Sequence, residues 1–457
     1  MKRSCAWCGA CTVVCPVFRV DGRESLTARG KMHLLASRLA ERPSATFRDI
    51  FSRCLLCGAC ENICPRQLPI REQVIGARSG FSAFYGRHGV RRTLARLALS
   101  RPPLLEGLVR AGVVLEQHLR TLPPDSGLRL KLGLLESRPV IGRAIPLGSG
   151  RYVPGSVSYF TGCLARHLQP AVGRATVRLV RRTVGRHSFV PPGQGCCGLA
   201  ALSAGRRDEA RRMARRNMEA FAASDGPILT SCASCSAHLA TYPELFRDDP
   251  VLQEQARAFA ARVREFSDFF LEPVAAQDPE TERELRVLYH DPCHLRFSEQ
   301  GRSRPRQLLD SIRGLQRVEA AGGGRCCGQG GLFHLGYPEL SAAVFRACLA
   351  GGMAAGPGLV VTTCSGCLMQ WQQGVVLEKQ DVLVLHLAVF LLQCLEKGQE
   401  EGVSAITGGG LGEENACFAD GILLKRAGLT GKSRGRKSRS PGFRDETPAG
   451  SGTGPEP

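Results

Sequence analysis

Cys54-Leu55-Leu56-Cys57-Gly58-Ala59-Cys60-Glu61-Asn62-Ile63-Cys64-Pro65 has the form C-x2-C-x2-C-x3-C-P, and the same form runs through Cys5, Cys8, Cys11, Cys15 and Pro16. Three thiols at two-residue gaps can hold three corners of one cubane. The fourth, followed by proline, is turned away and in two-cluster arrangements serves the neighbouring cluster. The spacing therefore assigns Cys5, Cys8, Cys11 and Cys64 to one [4Fe-4S] cluster and Cys54, Cys57, Cys60 and Cys15 to a second. Gly9 and Gly58 suit loops that fold tightly enough to bring backbone N–H groups close to sulfur. A pair of zinc sites is the competing reading, because zinc also takes four thiolates, but zinc does not need the C-x3-C-P ending.

Between the two runs, residues 31–39 and 46–53 carry helical patterning, broken at Pro43-Ser44. So long a helical spacer predicts an all-α two-cluster ferredoxin domain over residues 1–75, not the compact βαβ kind. Residues 76–150 read as a basic connector, helical over 90–99 and 103–120, with Pro123-Pro124 as a break.

A second cysteine pattern follows, also twice: Cys163, Cys196, Cys197, Gly198, Cys232 and Cys235, then Cys293, Cys326, Cys327, Gly328, Cys364 and Cys367. Cys163 to Cys293 is 130 residues and Cys232 to Cys364 is 132, so two homologous modules lie in tandem, over 151–278 and 279–400. Apolar runs at 157–160, 227–230, 285–289 and 359–362 lead into cysteines, and helical stretches alternate with them. This predicts α/β modules whose cysteines sit in loops at the carboxyl ends of strands, where open α/β sheets bind ligands. The fold class is thus α+β multidomain. An adjacent Cys-Cys pair does not easily ligate one tetrahedral ion, so each five-thiol set points to a polynuclear centre; zinc in one module and iron in the other stays open. Arg166 and Arg296 each follow a module's first cysteine by three residues, as cations facing a thiolate-rich centre or as solvated side chains. His294 adjoins Cys293, as a donor to sulfur or as a structural histidine. Cys348, Cys394 and Cys417 belong to neither pattern, and the first two read as buried inert thiols.

The 457 residues carry a formal charge of +20, unevenly placed. Residues 78–143 hold 12 Arg/Lys against four acids, and residues 425–444 hold eight Arg/Lys and no acid, so the cysteine-bearing modules are close to neutral. That, with little aromatic interleaving, argues against a zinc-bearing nucleic-acid binder; no nucleic-acid partner is expected. Residues 401–457, rich in Gly, Ser, Pro, Lys and Arg, are expected to be a disordered basic tail. No apolar run approaches the ~20 residues of a membrane span; residues 382–392 are short and interrupted by His386. With no apolar segment ahead of Cys5, the thiols are expected to be reduced and the protein cytoplasmic, free or peripheral at the inner face of the membrane. The connector's charge is open to three readings: ordinary packing, an acidic partner, or an anionic membrane.

Two C-x2-C-x2-C-x3-C-P motifs followed by two cysteine-rich CCG modules resemble the iron-sulfur subunit of glycolate oxidase and its relatives in lactate utilisation. Arg29-Gly30-Lys31 is similar to the Arg-Gly-Arg that this family carries after its first motif, with Thr27-Ala28 replacing the usual Ser-Pro. The resemblance covers residues 1–400. It implies an electron-transfer subunit of a glycolate or D-lactate (2-hydroxyacid) dehydrogenase complex, acting on CH-OH donors. The heterodisulfide reductase subunits share both modules, and in that branch each complete five-cysteine module binds a non-cubane [4Fe-4S] cluster. Reduction of a disulfide at such a cluster is therefore the alternative. No dinucleotide fingerprint follows a strand and opens a helix: Gly408-Gly409-Gly410-Leu411-Gly412 falls in the tail and Gly328-Gln329-Gly330-Gly331 in a cysteine motif. A 2-hydroxyacid gives up a hydride, which needs a flavin or nicotinamide. The chain is thus expected not to oxidise substrate alone, but to take electrons from an FAD-containing partner subunit toward a quinone or other acceptor.

Overall fold

The computed structural model describes residues 4–108 and 152–396. All regular elements described between residues 4 and 108 are helical. Ala28–Ala36 starts at Thr27, whose hydroxyl accepts the Gly30 N–H (3.1 Å), and Ala45–Ser52 starts at Ser44, which accepts the Phe47 N–H (3.1 Å). The expected break at Pro43-Ser44 is therefore a helix N-cap. Phe47, Phe51 and Phe81 stack and cross over one another, and with Val17, Leu26 and Val74 they make the small core. Residues 90–99 fall in the helix Gly89–Ser100, and residues 102–108 are helical. Residues 109–150 of the expected connector, and the tail, lie outside the described residues.

Two four-stranded parallel sheets follow. The first holds β1 (Val157–Phe160), β2 (Ser188–Phe189), β3 (Ile228–Thr230) and β4 (Val263–Glu265) in the order β2-β1-β3-β4. The second holds β5 (Glu280–Tyr289), β6 (Arg313–Val318), β7 (Leu359–Thr362) and β8 (Leu383–His386) in the order β6-β5-β7-β8. Residues 382–392, the chain's most apolar run, supply β8 and the start of the helix Leu387–Glu396; among the described residues no helix is long and apolar enough to cross a membrane. β1 and β7 are buried along their whole length, because helices cover both sheet faces.

The strand order places the cysteines. In each sheet the chain leaves the central strand to one side and returns on the other, so a crevice opens at the carboxyl ends of β1 and β3, and of β5 and β7. Cys163 and Cys232 follow β1 and β3; Cys293 and Cys364 follow β5 and β7. The two crevices face each other. Ala233 N–H donates to the Thr363 carbonyl (2.9 Å), Gln169 Nε2 donates to the Ser365 carbonyl (3.3 Å), and His386 Nε2 lies 2.8 Å from the Ser231 carbonyl oxygen. One apolar core runs through both modules, while Cys326, Phe333, Tyr337 and Val344 of the second module join the ferredoxin core instead.

Candidate metal centres

Cys15, Cys54, Cys57 and Cys60 line one hollow, together with Leu26, Lys31, Leu55, Ile70 and Arg71. The first run's fourth cysteine thus meets three of the second run's. The two runs share an unusual backbone: Trp7 and Gly9 have φ +58° and +78°, Leu56 and Gly58 +55° and +79°. Both loops therefore curl about their middle cysteine, Cys8 or Cys57. Burial raises the pKa values of the Cys15, Cys57 and Cys60 thiols. Lys31 is buried beside them, its ammonium donating to the Leu26 carbonyl; burial lowers its pKa while Cys54 and Cys15 act in the opposite direction. On the other side, Cys11 Sγ accepts the Arg29 N–H (3.3 Å), and Arg66 donates to the Ser4 carbonyl (3.3 Å), tying the segment beyond Cys64 to the segment before Cys5. Cys8 is the exposed thiol among the described cysteines.

In module one the side chains of Cys163, Cys196, Cys197, Cys235 and Cys232 gather in the crevice, each near enough to the next to shift its ionisation. Buried together, these neighbouring thiols oppose one another's ionisation, so the nearby Cys196 and burial push the Cys163 and Cys197 thiols up. The Cys196 loop is held by Asn217, which accepts the Gly195 N–H (2.9 Å) and donates to the Cys196 carbonyl (3.1 Å), and by Tyr242, which donates to the Cys197 carbonyl (2.8 Å). In module two Cys293 stands near enough to Cys326 to disfavour its ionisation, Cys327 Sγ lies within 4.8 Å of Cys367 Sγ, and Cys367 and Cys364 stand near enough to shift each other's ionisation. A tyrosine clamp across the central strands is duplicated: Tyr159 to Ser231 (2.7 Å) and Tyr289 to Thr363 (2.9 Å).

The sets also meet one another. Cys232 of module one and Cys364 of module two stand near enough to shift each other's ionisation, and Cys326 stands near enough to Cys57 to disfavour ionisation of its thiol. Among the thiol sets, the second ferredoxin set neighbours that of module two, and module two's neighbours that of module one, a succession that the sequence order of the modules does not show.

Arg166 pairs with Glu106 (2.6 Å), and Arg296 donates to the Asp291 and Arg325 carbonyls (2.5 and 2.8 Å), so neither is simply solvated. His294 Nδ1 lies 3.8 Å from Cys293 Sγ and 3.0 Å from Ser234 Oγ, which is 3.2 Å from Cys364 Sγ. Cys394 is buried in the core, as expected. Cys348 is buried but not isolated: its Sγ lies 3.9 Å from His290 Nδ1 and 3.7 Å from the Arg325 carbonyl oxygen. His290, which cysteine spacing does not single out, has a ligating atom within 4.8 Å of those of Cys327 and Cys367. Burial opposes its charged form, but Cys327 and Cys348 more than reverse that and carry its pKa to about 10. Laying the modules over each other is the signal that finds it, since His290 falls where module one has Phe160.

Thiols buried this closely cannot all ionise against their mutual repulsion without a multiply charged centre to bind them. The donor sets and the curled loops fit iron-sulfur clusters. Residues 1–68 match the family described as 4Fe-4S dicluster domain, and residues 157–240 and 287–372 each match the Cysteine-rich domain. The chain is 29% identical over 428 residues to a probable glycolate oxidase iron-sulfur subunit of Bacillus subtilis, covering 85% of this chain and 93% of that one. It is 30% identical to lactate utilization protein A of Shouchella clausii, over 52% of this chain and 98% of the relative. It is 28% identical to a subunit of the fumarate reductase (CoM/CoB) of Methanothermobacter marburgensis, over 85% of this chain and 71% of the relative.

Proposed function

This chain belongs to the iron-sulfur subunit family that includes glycolate oxidase iron-sulfur subunit and lactate utilization protein A, and from that membership we propose that it is the electron-transfer subunit of a glycolate or D-lactate (2-hydroxyacid) dehydrogenase complex. Cys5, Cys8, Cys11 and Cys64 hold one [4Fe-4S] cubane, and Cys15, Cys54, Cys57 and Cys60 the other. Cys163, Cys196, Cys197, Cys232 and Cys235 hold a further cluster of the non-cubane kind, and so do Cys293, Cys326, Cys327, Cys364 and Cys367. Such clusters supply one-electron acceptance and release. An FAD-containing partner subunit takes the hydride from the hydroxyacid, and a quinone or membrane-associated acceptor receives the electrons. The observation that carries this reading is the closeness of the sets, Cys57 near Cys326 and Cys364 near Cys232, which places three of the four thiol sets in succession.

The test is anaerobic co-purification with the flavoprotein partner, followed by iron and sulfide counting. Four clusters correspond to about 16 iron atoms per chain; about 8 would restrict iron to the ferredoxin domain, and zinc without sulfide would sink the whole assignment. Hydroxyacid-dependent dye reduction should need the flavoprotein. A second reading, a heterodisulfide-reductase-type subunit, is favoured by the completeness of both five-cysteine modules and by the fumarate reductase relative. It requires disulfide turnover with reduced dye and no flavoprotein present.

A further inference from the structure

The two five-cysteine modules share their strand order, their tyrosine clamps and their cysteine spacing, so a difference between them at the thiols stands out. Phe160 and His290 occupy the same place, one residue beyond the clamping tyrosine and beside the strand that leads into C-x2-C. Phe160 packs on Phe221, ring centroids 6.0 Å apart, and brings no polar atom to its crevice. His290 brings an imidazole to within 4.8 Å of both Cys327 and Cys367.

The ring is firmly placed. His290 is buried, its backbone N–H donates to the Val361 carbonyl (2.8 Å), and its backbone carbonyl accepts from Thr362 Oγ1 (3.1 Å). The imidazole lies edge-on to Trp371 at 5.4 Å, and Trp371 is itself buried. Cys348 Sγ, 3.9 Å from Nδ1, provides a further polar contact that orients it. An N–H held against a ligand sulfur withdraws charge from the thiolate and favours the reduced state of the centre bound there. Module one has no such donor at Phe160.

We propose that His290 is a positioning residue for the module-two centre, donating a hydrogen bond to the Cys327 thiolate and thereby making that centre more easily reduced than it would be with the phenylalanine that module one has there. This rests on the reading that both modules hold iron-sulfur clusters. It gives the duplicated domains unequal roles: module two, whose thiols neighbour both the second ferredoxin set and those of module one, is the one whose potential His290 raises.

The experiment is an EPR-monitored redox titration of the anaerobically purified full chain with its partner, comparing wild type, His290→Phe and His290→Gln. In His290→Phe, with four clusters still present, one module signal should shift to a more negative potential while the others stay put. His290→Gln, which keeps an N–H donor, should restore most of the shift. Unmoved potentials in His290→Phe would overturn the proposal. So would loss of module-two iron in both variants, which would make the role structural. A strong nitrogen hyperfine coupling in wild type that vanishes in both variants would make His290 an iron ligand and overturn it as well. Wild type holding iron in the ferredoxin domain alone would overturn the cluster reading and the proposal together, a result visible without any variant.

Discussion

Gly328 has φ +84°, and a Cβ there would stand 2.6 Å from the Ser341 carbonyl oxygen, a backbone atom. Gly328→Ala should therefore incur both the left-handed penalty and a clash, on the order of 3 kcal/mol together, and lower both Tm and module-two iron content. Gly22, at φ +80° with nothing within 4 Å, is the control: its alanine variant should lose only about 1 kcal/mol and no iron. Glu265 titrates near neutrality. Burial pushes its carboxyl from 4.5 up to about 7, although the Asp268 and Ser267 N–H groups that it caps hold it down. A raised folded pKa means the native state binds the extra proton, so stability falls as pH rises from 4.5 through 7, by up to roughly 3 kcal/mol. Glu265→Gln removes the titration and keeps an accepting oxygen, so its Tm advantage over wild type should be larger at pH 8 than at pH 5; an equal gap at both would refute this. The contrast between the cysteines and His290 shows what a sequence carries at this scale. Cysteine spacing within a loop is local and legible, whereas His290, just beyond the end of β5, and Cys348, in a helix, are 58 residues apart and meet only in the folded chain.

At the scale of the element, the helix Gly89–Ser100 shows how a charge count misleads. Its arginines are open to three readings in the sequence, and the fold assigns two of them to packing: Arg92 and Arg96 are buried, Arg92 over the Tyr85 ring at 5.0 Å and Arg96 paired with Glu209 of module one. Arg78, in the preceding helix Ile70–Ser79, likewise turns inward to the Phe51, Cys54 and Ser203 carbonyls (2.8, 2.7 and 2.6 Å). The helix was legible from its pattern; its buried face was not, because Glu209 lies 113 residues further on. Removing one partner of a buried pair strands the other, so Arg96→Ala should cost about 3 kcal/mol and the double change with Glu209→Gln should recover part of it. Denaturation midpoints of the four-member cycle measure this. Arg91, which is exposed, is the side chain to neutralise when testing a partner surface, and Arg91→Ala should leave the midpoint unchanged.

For the whole molecule, the repeat announced two like modules and the strand pattern announced their sheets, so the architecture was legible. Their arrangement about the ferredoxin domain was not, because no local pattern encodes which crevice faces which loop. The junction with module two is built from Tyr337, which donates to Asp49 Oδ1 (2.8 Å), contacts Ser52 and accepts the Arg87 N–H (3.3 Å), under the Arg53 guanidinium at 5.3 Å. It brings Leu55 against Gly330 and Cys57 near Cys326. Arg78 and Tyr85 meanwhile hold the domain to module one through the Ser203 and Ala204 carbonyls. Under the proposed ligand assignment, the succession of thiol sets from the second ferredoxin set to module two to module one has a magnetic consequence, since coupling between paramagnetic centres falls steeply with distance. The signal of the second ferredoxin cluster should be broadened by its module-two neighbour when both are paramagnetic. Cys327→Ser, which removes a module-two ligand, should sharpen it, and Cys197→Ser, the matching change in module one, should leave it as it was. Sharpening by the module-one variant instead would mean that the thiols approach one another in a different order from the one the fold displays.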